Sequence, residues 1–111
     1  PGVADYNWID NASGEASQFG YSARASTTAD LDPTFQNNGS NTCGLGGLDG
    51  EYNCWLNAST TPETIINRTS GPAATGASTT LIFRVAVPNN PSPSLEADTY
   101  TATATLTATV N

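Results

Sequence analysis

The chain has 111 residues with ten acidic residues, three arginines, no lysine and no histidine, and a net charge of −7. That length suits one domain. Without His or Lys there are no histidine triads, histidine metal sites, Schiff-base lysines or P-loops, and the scattered Arg24, Arg68 and Arg84 form no basic patch for nucleic acid or an anionic membrane surface.

In chain order, residues 3–9 (VADYNWI) place Tyr6 and Trp8 on one face and Asp5 and Asn7 on the other, the pattern of a first strand. Residues 10–18 (DNASGEASQ) are a polar loop with Gly14 as turn residue. Residues 20–26 (GYSARAS) alternate again, with Tyr21, Ala23 and Ala25 inward and Ser22, Arg24 and Ser26 outward. Residues 27–42 (TTADLDPTFQNNGSNT) read mostly as turn material: Pro33 fixes its own φ, and Asn38-Gly39 favours positive φ. Residues 43–54 hold four glycines between two cysteines, followed at once by Trp55 and Leu56. Residues 64–67 (TIIN) read as a short strand and 70–78 (SGPAATGAS) as a small-residue loop.

Residues 79–87 (TTLIFRVAV) form the second clear strand, with Leu81, Phe83, Val85 and Val87 on one face and Thr80, Ile82, Arg84 and Ala86 on the other. Residues 88–93 (PNNPSP) cannot continue a ladder, because proline lacks the N–H donor. The chain is expected to turn there and return as the antiparallel neighbour of residues 79–87. The returning segment, residues 98–110 (DTYTATATLTATV), is the most regular in the chain. Thr99, Thr101, Thr103, Thr105, Thr107 and Thr109 alternate with Tyr100, Ala102, Ala104, Leu106, Ala108 and Val110. As a strand it has one apolar and one hydroxyl face, and a one-residue slip would turn every apolar group to water. Leu, Ile, Val and Phe together fall below the roughly one-fifth at which disorder becomes a rival reading. The modest charge and the ordered alternation favour instead a lean all-β core filled out with Ala, Tyr and Trp. The expected architecture is a single antiparallel two-sheet β-sandwich over residues 1–111, without helices and with one disulfide-closed loop.

Cys43 and Cys54 are the two cysteines, and a structural disulfide between them is expected. Closing a loop of about a dozen residues contributes roughly 3 kcal/mol. Free thiols are one alternative. A redox or metal pair is the other, but the spacing is too wide for CxxC and further Cys or His ligands are missing. Four sequons, at Asn11, Asn38, Asn57 and Asn67, are possible glycosylation sites or ordinary turn asparagines. Asp30 and Asp32 with Asn37 or Asn38, and Asp49 with Glu51, are candidate calcium ligands, but neither stretch has EF-hand spacing, and solvated loop carboxylates are the simpler reading. Trp8, Trp55, Tyr52 and Tyr6 could stack on a sugar; in a chain so poor in Leu and Ile they are needed inside. The single threonine row is too narrow for an ice-binding surface, and β-propensity or O-glycosylation accounts for it better. No spacing singles out a catalytic carboxylate pair, so neither an enzyme nor a cofactor is expected.

The C-terminal third, PSPSLEADTYTATATLTATVN, resembles the closing strand of bacterial and archaeal surface β-sandwich modules: WxL-type cell-wall domains and fimbrial or spore-coat-like modules ending in an xGTYTATxTxTxT pattern. The resemblance covers residues 79–111. Asp98 stands where the glycine is usual, and Trp55-Leu56 lacks the WxL spacing. Without lysine, the Lys–Asn or Lys–Asp isopeptide staple of many Gram-positive pilins is impossible. The resemblance implies a prokaryotic surface location and a role in assembly or wall attachment, and it carries over no functional residue.

The first residues have no signal-peptide pattern, and no apolar run is long enough to cross a membrane as a helix. A mature secreted product or a piece of a longer surface protein is expected. The leading functional expectation is a non-enzymatic, self-assembling subunit or module of a surface filament, pilus or surface layer. Its partners would be other copies of itself, through the strand formed by residues 99–110. The alternatives are an adhesive module binding cell-wall or host glycan, and a viral capsid or decoration domain.

Overall fold

The computed structural model describes residues 16–40, 42–50, 54–72 and 74–109. The expected strand at residues 3–9 lies outside them. The described residues are mostly strand with little helix. Strand β1 (Gln18–Ala25) lies at the centre of a three-stranded antiparallel sheet, between β4 (Leu56–Asn57) and β5 (Thr79–Ala86). Strands β2 (Gln36–Asn37) and β3 (Leu48–Asp49) form a separate antiparallel pair. Among the described residues these sheets do not make up the two facing sheets of the expected sandwich.

β1 and β5 pair over their full length, from Gln18 opposite Ala86 to Ala25 opposite Thr79. Both lie close to the positions that alternation marks. β1 begins two residues earlier than expected, because pairing with Val85 and Ala86 adds Phe19 and, from the apparent loop, Gln18. The inward assignment of Ala23 and Ala25 holds: both are buried, with Leu31 and Phe35, and Tyr21, Leu56, Ile65, Ile66 and Leu81 pack around them. Ser22 is buried as well, so both faces of β1 are covered at that point, and its hydroxyl has no hydrogen-bond partner.

The segment read as turn material supplies the centre of the core. Two single-turn 3₁₀ helices, Thr28–Asp30 and Pro33–Phe35, aim Leu31 and Phe35 inward. Asp32 caps the second: its Oδ1 accepts from the Thr34 N–H at 3.0 Å, and Pro33 supplies a preset φ at the first position. Gln36 is buried beneath both turns. Its Nε2 donates to the Thr28 carbonyl at 2.9 Å and to the Leu31 carbonyl at 2.6 Å. Residues 64–67 form no full strand, but Ile66 bridges Leu31, the Asp32 N–H donates to the Ile65 carbonyl and the Asn67 N–H to the Asp30 carbonyl. Arg68 Nη1 closes this edge 2.9 Å from Asp30 Oδ2.

Cys43 and Cys54 are joined, with Cα atoms 5.8 Å apart, and both are buried. Asn38-Gly39 turns as expected, with Gly39 at φ 82°. Gly50 is required for a different reason. A Cβ there would lie 2.5 Å from Cys54 Sγ and 2.6 Å from the Phe35 carbonyl oxygen. The glycine lets the disulfide sit directly against the core segment.

Two expectations are corrected. Residues 99–109 join no sheet among the described residues, and each of them is exposed. The neighbour of β5 is β1, not this tail. The physical reason is the composition of the tail's apolar face. Three of its five described residues are alanine, and burying a methyl group gains far less than burying Leu or Phe. The second correction concerns the apolar face of β5. Leu81 packs on the core, but Phe83, Val85 and Val87 remain exposed, because the 27–37 segment covers only the Ala23–Leu81 end of the sheet. The radius of gyration, 15.9 Å, exceeds the roughly 13 Å of a compact chain this long, as elements left unpacked require.

Candidate functional site

Opposed residues in an antiparallel pair share a face, so Phe19 and Val85, Tyr21 and Phe83, and Ala23 and Leu81 lie on one side of the sheet. The core covers this side at Leu81. Beyond it, Phe83, Val85 and Val87 are 50%, 64% and 53% exposed. Phe19 stacks on Phe83 with ring centroids 6.2 Å apart, and Tyr21 meets Phe83 at 6.4 Å and Phe35 at 5.9 Å. The result is an apolar strip that starts in the core and runs out into solvent. β5 is also an edge: among the described residues it pairs on one side alone. An open edge beside an exposed apolar strip is the surface on which strands add.

The tail provides the complementary element. From Thr99 to Thr109 it runs without a turn or bend and outside any ladder, with Tyr100 66% and Leu106 69% exposed. At its start it is held locally: Asp98 Oδ1 accepts from the Thr99 N–H at 2.7 Å, and the Tyr100 hydroxyl donates to the Glu96 carbonyl at 2.9 Å. After β5 the chain turns through residues 88–93, where Asn90 takes a left-handed φ of 56°, and comes back toward the start of β5. It does not close on it. Thr79 and Leu81 of β5, residues 62–72 and residues 105–109 line one open groove of about 940 Å³. A smaller cavity of about 260 Å³ adjoins it, shares Ile66, Arg68, Pro72 and Thr79, and contains the Asp30 side of the ion pair.

The half-buried Tyr21 anchors the strip to the core. Burial, and secondarily the negative charge of Glu63, raise its phenol above the ordinary 10.0, so the ring stays neutral beside the apolar residues.

The other candidate residues are dispersed. Trp55 is buried against Ala86 and Ile82, so it is core and is removed from any sugar-stacking platform; Trp8, Tyr6 and Tyr52 lie outside the described residues. Asp30 is spent on Arg68 and Asp32 on the Thr34 N–H, while Asn37 Oδ1 accepts from the Gly39 N–H. Among the described residues no group of three or more His, Cys, Asp or Glu could hold a metal ion. Of the sequons, Asn38, Asn57 and Asn67 are exposed, and Asn11 lies outside the described residues. Asn38 Oδ1 accepts from the Ser40 and Thr42 N–H groups, so that asparagine has a structural role in its turn. Alternation marked the strip residues but gave no sign that they stay uncovered. Leu31, Phe35 and Gln36, which decide where cover ends, went unmarked. Their signal was the four-residue spacing of Leu31 and Phe35 around an Asp-Pro turn start.

No helix among the described residues is long and apolar enough to cross a membrane. No protein-family model, no curated protein and no solved structure matches the chain.

Proposed function

We propose that the chain is a non-enzymatic extracellular structural protein, a subunit or module that self-assembles into a surface filament, pilus or surface layer by β-strand addition. The observation that carries this reading is the coexistence, in one chain, of an open β5 edge flanked by exposed Phe83, Val85 and Val87 and an unpaired alternating tail of eleven described residues, Thr99 to Thr109. Each is a cost to an isolated molecule, and each supplies what the other lacks. The buried Cys43–Cys54 disulfide is compatible with an oxidising exterior. The second sheet of a sandwich is completed, in this reading, when strands from neighbouring copies cover the strip.

Light scattering across a concentration series, with negative-stain microscopy of the most concentrated sample, tests the reading. Particles of several copies that grow with concentration are expected. Monomers at every concentration would overturn it.

A further inference from the structure

We propose that the acceptor of the tail is the outer edge of β5 in a second copy, with the incoming strand antiparallel, Ala102 opposite Val85 and Leu106 opposite Leu81; this rests on the assembly reading above. The parity of the register follows from the side chains. The apolar residues of the tail are even-numbered and those of the strip, Leu81, Phe83, Val85 and Val87, are odd-numbered. In an antiparallel pair, opposed residue numbers have a constant sum, so apolar meets apolar only when that sum is odd. An even sum would set threonines against Phe83 and Val85 and put Leu106 on the far face. Among odd registers, the proposed one places small Ala104 opposite bulky Phe83, Leu106 opposite Leu81 and Tyr100 opposite Val87. It also covers β5 from end to end.

The choice of a second copy over closure within one chain comes from the groove. The chain's own residues 105–109 line the same groove as Thr79 and Leu81, and among the described residues the tail makes no ladder with β5. The groove has a volume of about 940 Å³. The groove is open to solvent, so an incoming segment can reach Thr79 and Leu81 from outside. A neighbour's tail paired with β5 would satisfy the edge that the chain's own tail leaves open. Donor and acceptor are different surfaces, so the contact is head-to-tail and repeats into an open chain.

The test uses the full chain carrying single substitutions at exposed positions, where folding is not at risk. Val85→Cys protein is mixed with Ala102→Cys protein under mild oxidation, and the bonds are mapped by mass spectrometry with the Cys43–Cys54 peptide as an internal check. The expected result is an intermolecular 85–102 disulfide, about tenfold above the yield from Val85→Cys mixed with Thr103→Cys, whose side chain leaves from the other face. Equal yields, or none, overturn the register. A double variant, Val85→Cys with Ala102→Cys, that closes on itself as a monomer overturns the second-copy claim. Multi-copy particles without the 85–102 bond sink this inference and leave assembly intact. Monomers alone, seen by scattering, sink both.

Discussion

Phe19 and Phe83 stack nearly parallel, with 11° between the ring planes and 6.2 Å between their centroids, on a sheet face along which Phe83, Val85 and Val87 are exposed. An apolar strip left in water contributes little to the fold of one molecule and much to a contact that covers it. Val85→Ser, at 64% exposure, is therefore expected to change the unfolding free energy by no more than about 0.5 kcal/mol. Particle formation in light scattering should be lost in the same variant. A large fall in the urea midpoint with assembly retained would reverse the roles assigned to this face.

The disulfide and Gly50 act as one support. Reduction, or Cys43→Ser with Cys54→Ser, removes closure of a segment with sequence separation 11, and about 3 kcal/mol of stability should go with it. Gly50→Ala drives a methyl group into Cys54 Sγ and the Phe35 carbonyl, and overpacking of this kind costs about 1–3 kcal/mol. Denaturant melts of the oxidised variants measure both effects.

Gln36 is the least replaceable polar residue of the core. Gln36→Leu keeps the bulk but leaves the buried Leu31 carbonyl without its Nε2 donor, while the Thr28 carbonyl keeps the Leu31 N–H. A loss of about 2 kcal/mol is expected in urea unfolding. Gln36→Glu, which keeps the shape and replaces the donor with an acceptor, should fare worse at neutral pH.

Stability should also fall at alkaline pH. The Tyr21 phenol titrates higher in the folded chain than in the unfolded one, first because it is buried and then because Glu63 is near. The unfolded state therefore releases this proton first. The contribution is full below pH 10 and is lost as pH rises through the folded value. Tyr21→Phe should flatten the alkaline limb of a urea-midpoint profile taken from pH 8 to 11. A limb unchanged in that variant would assign the fall to other groups.

Alternation placed β1 and β5 within two residues, because a half-covered strand must sort its side chains by face. The two cysteines paired as their number and spacing suggested. The Leu31–Phe35 turns are hard to read, since a single four-residue spacing of two apolar residues around Asp32-Pro33 is too short to establish a period. The tail shows the converse. Its twelve alternating residues are compatible with a strand, but periodicity reports which faces a segment has and says nothing of a partner. With alanine at Ala102, Ala104 and Ala108, the gain from finding one inside the same molecule is small.

Amide hydrogen exchange of residues 99–109, followed from dilute to concentrated protein, tests the central claim most directly. Assembly through the tail predicts rapid exchange in the dilute monomer and protection that rises with concentration, together with slowed exchange along the outer edge of β5. Protection already complete in dilute monomer, or rapid exchange persisting in multi-copy particles, would contradict it.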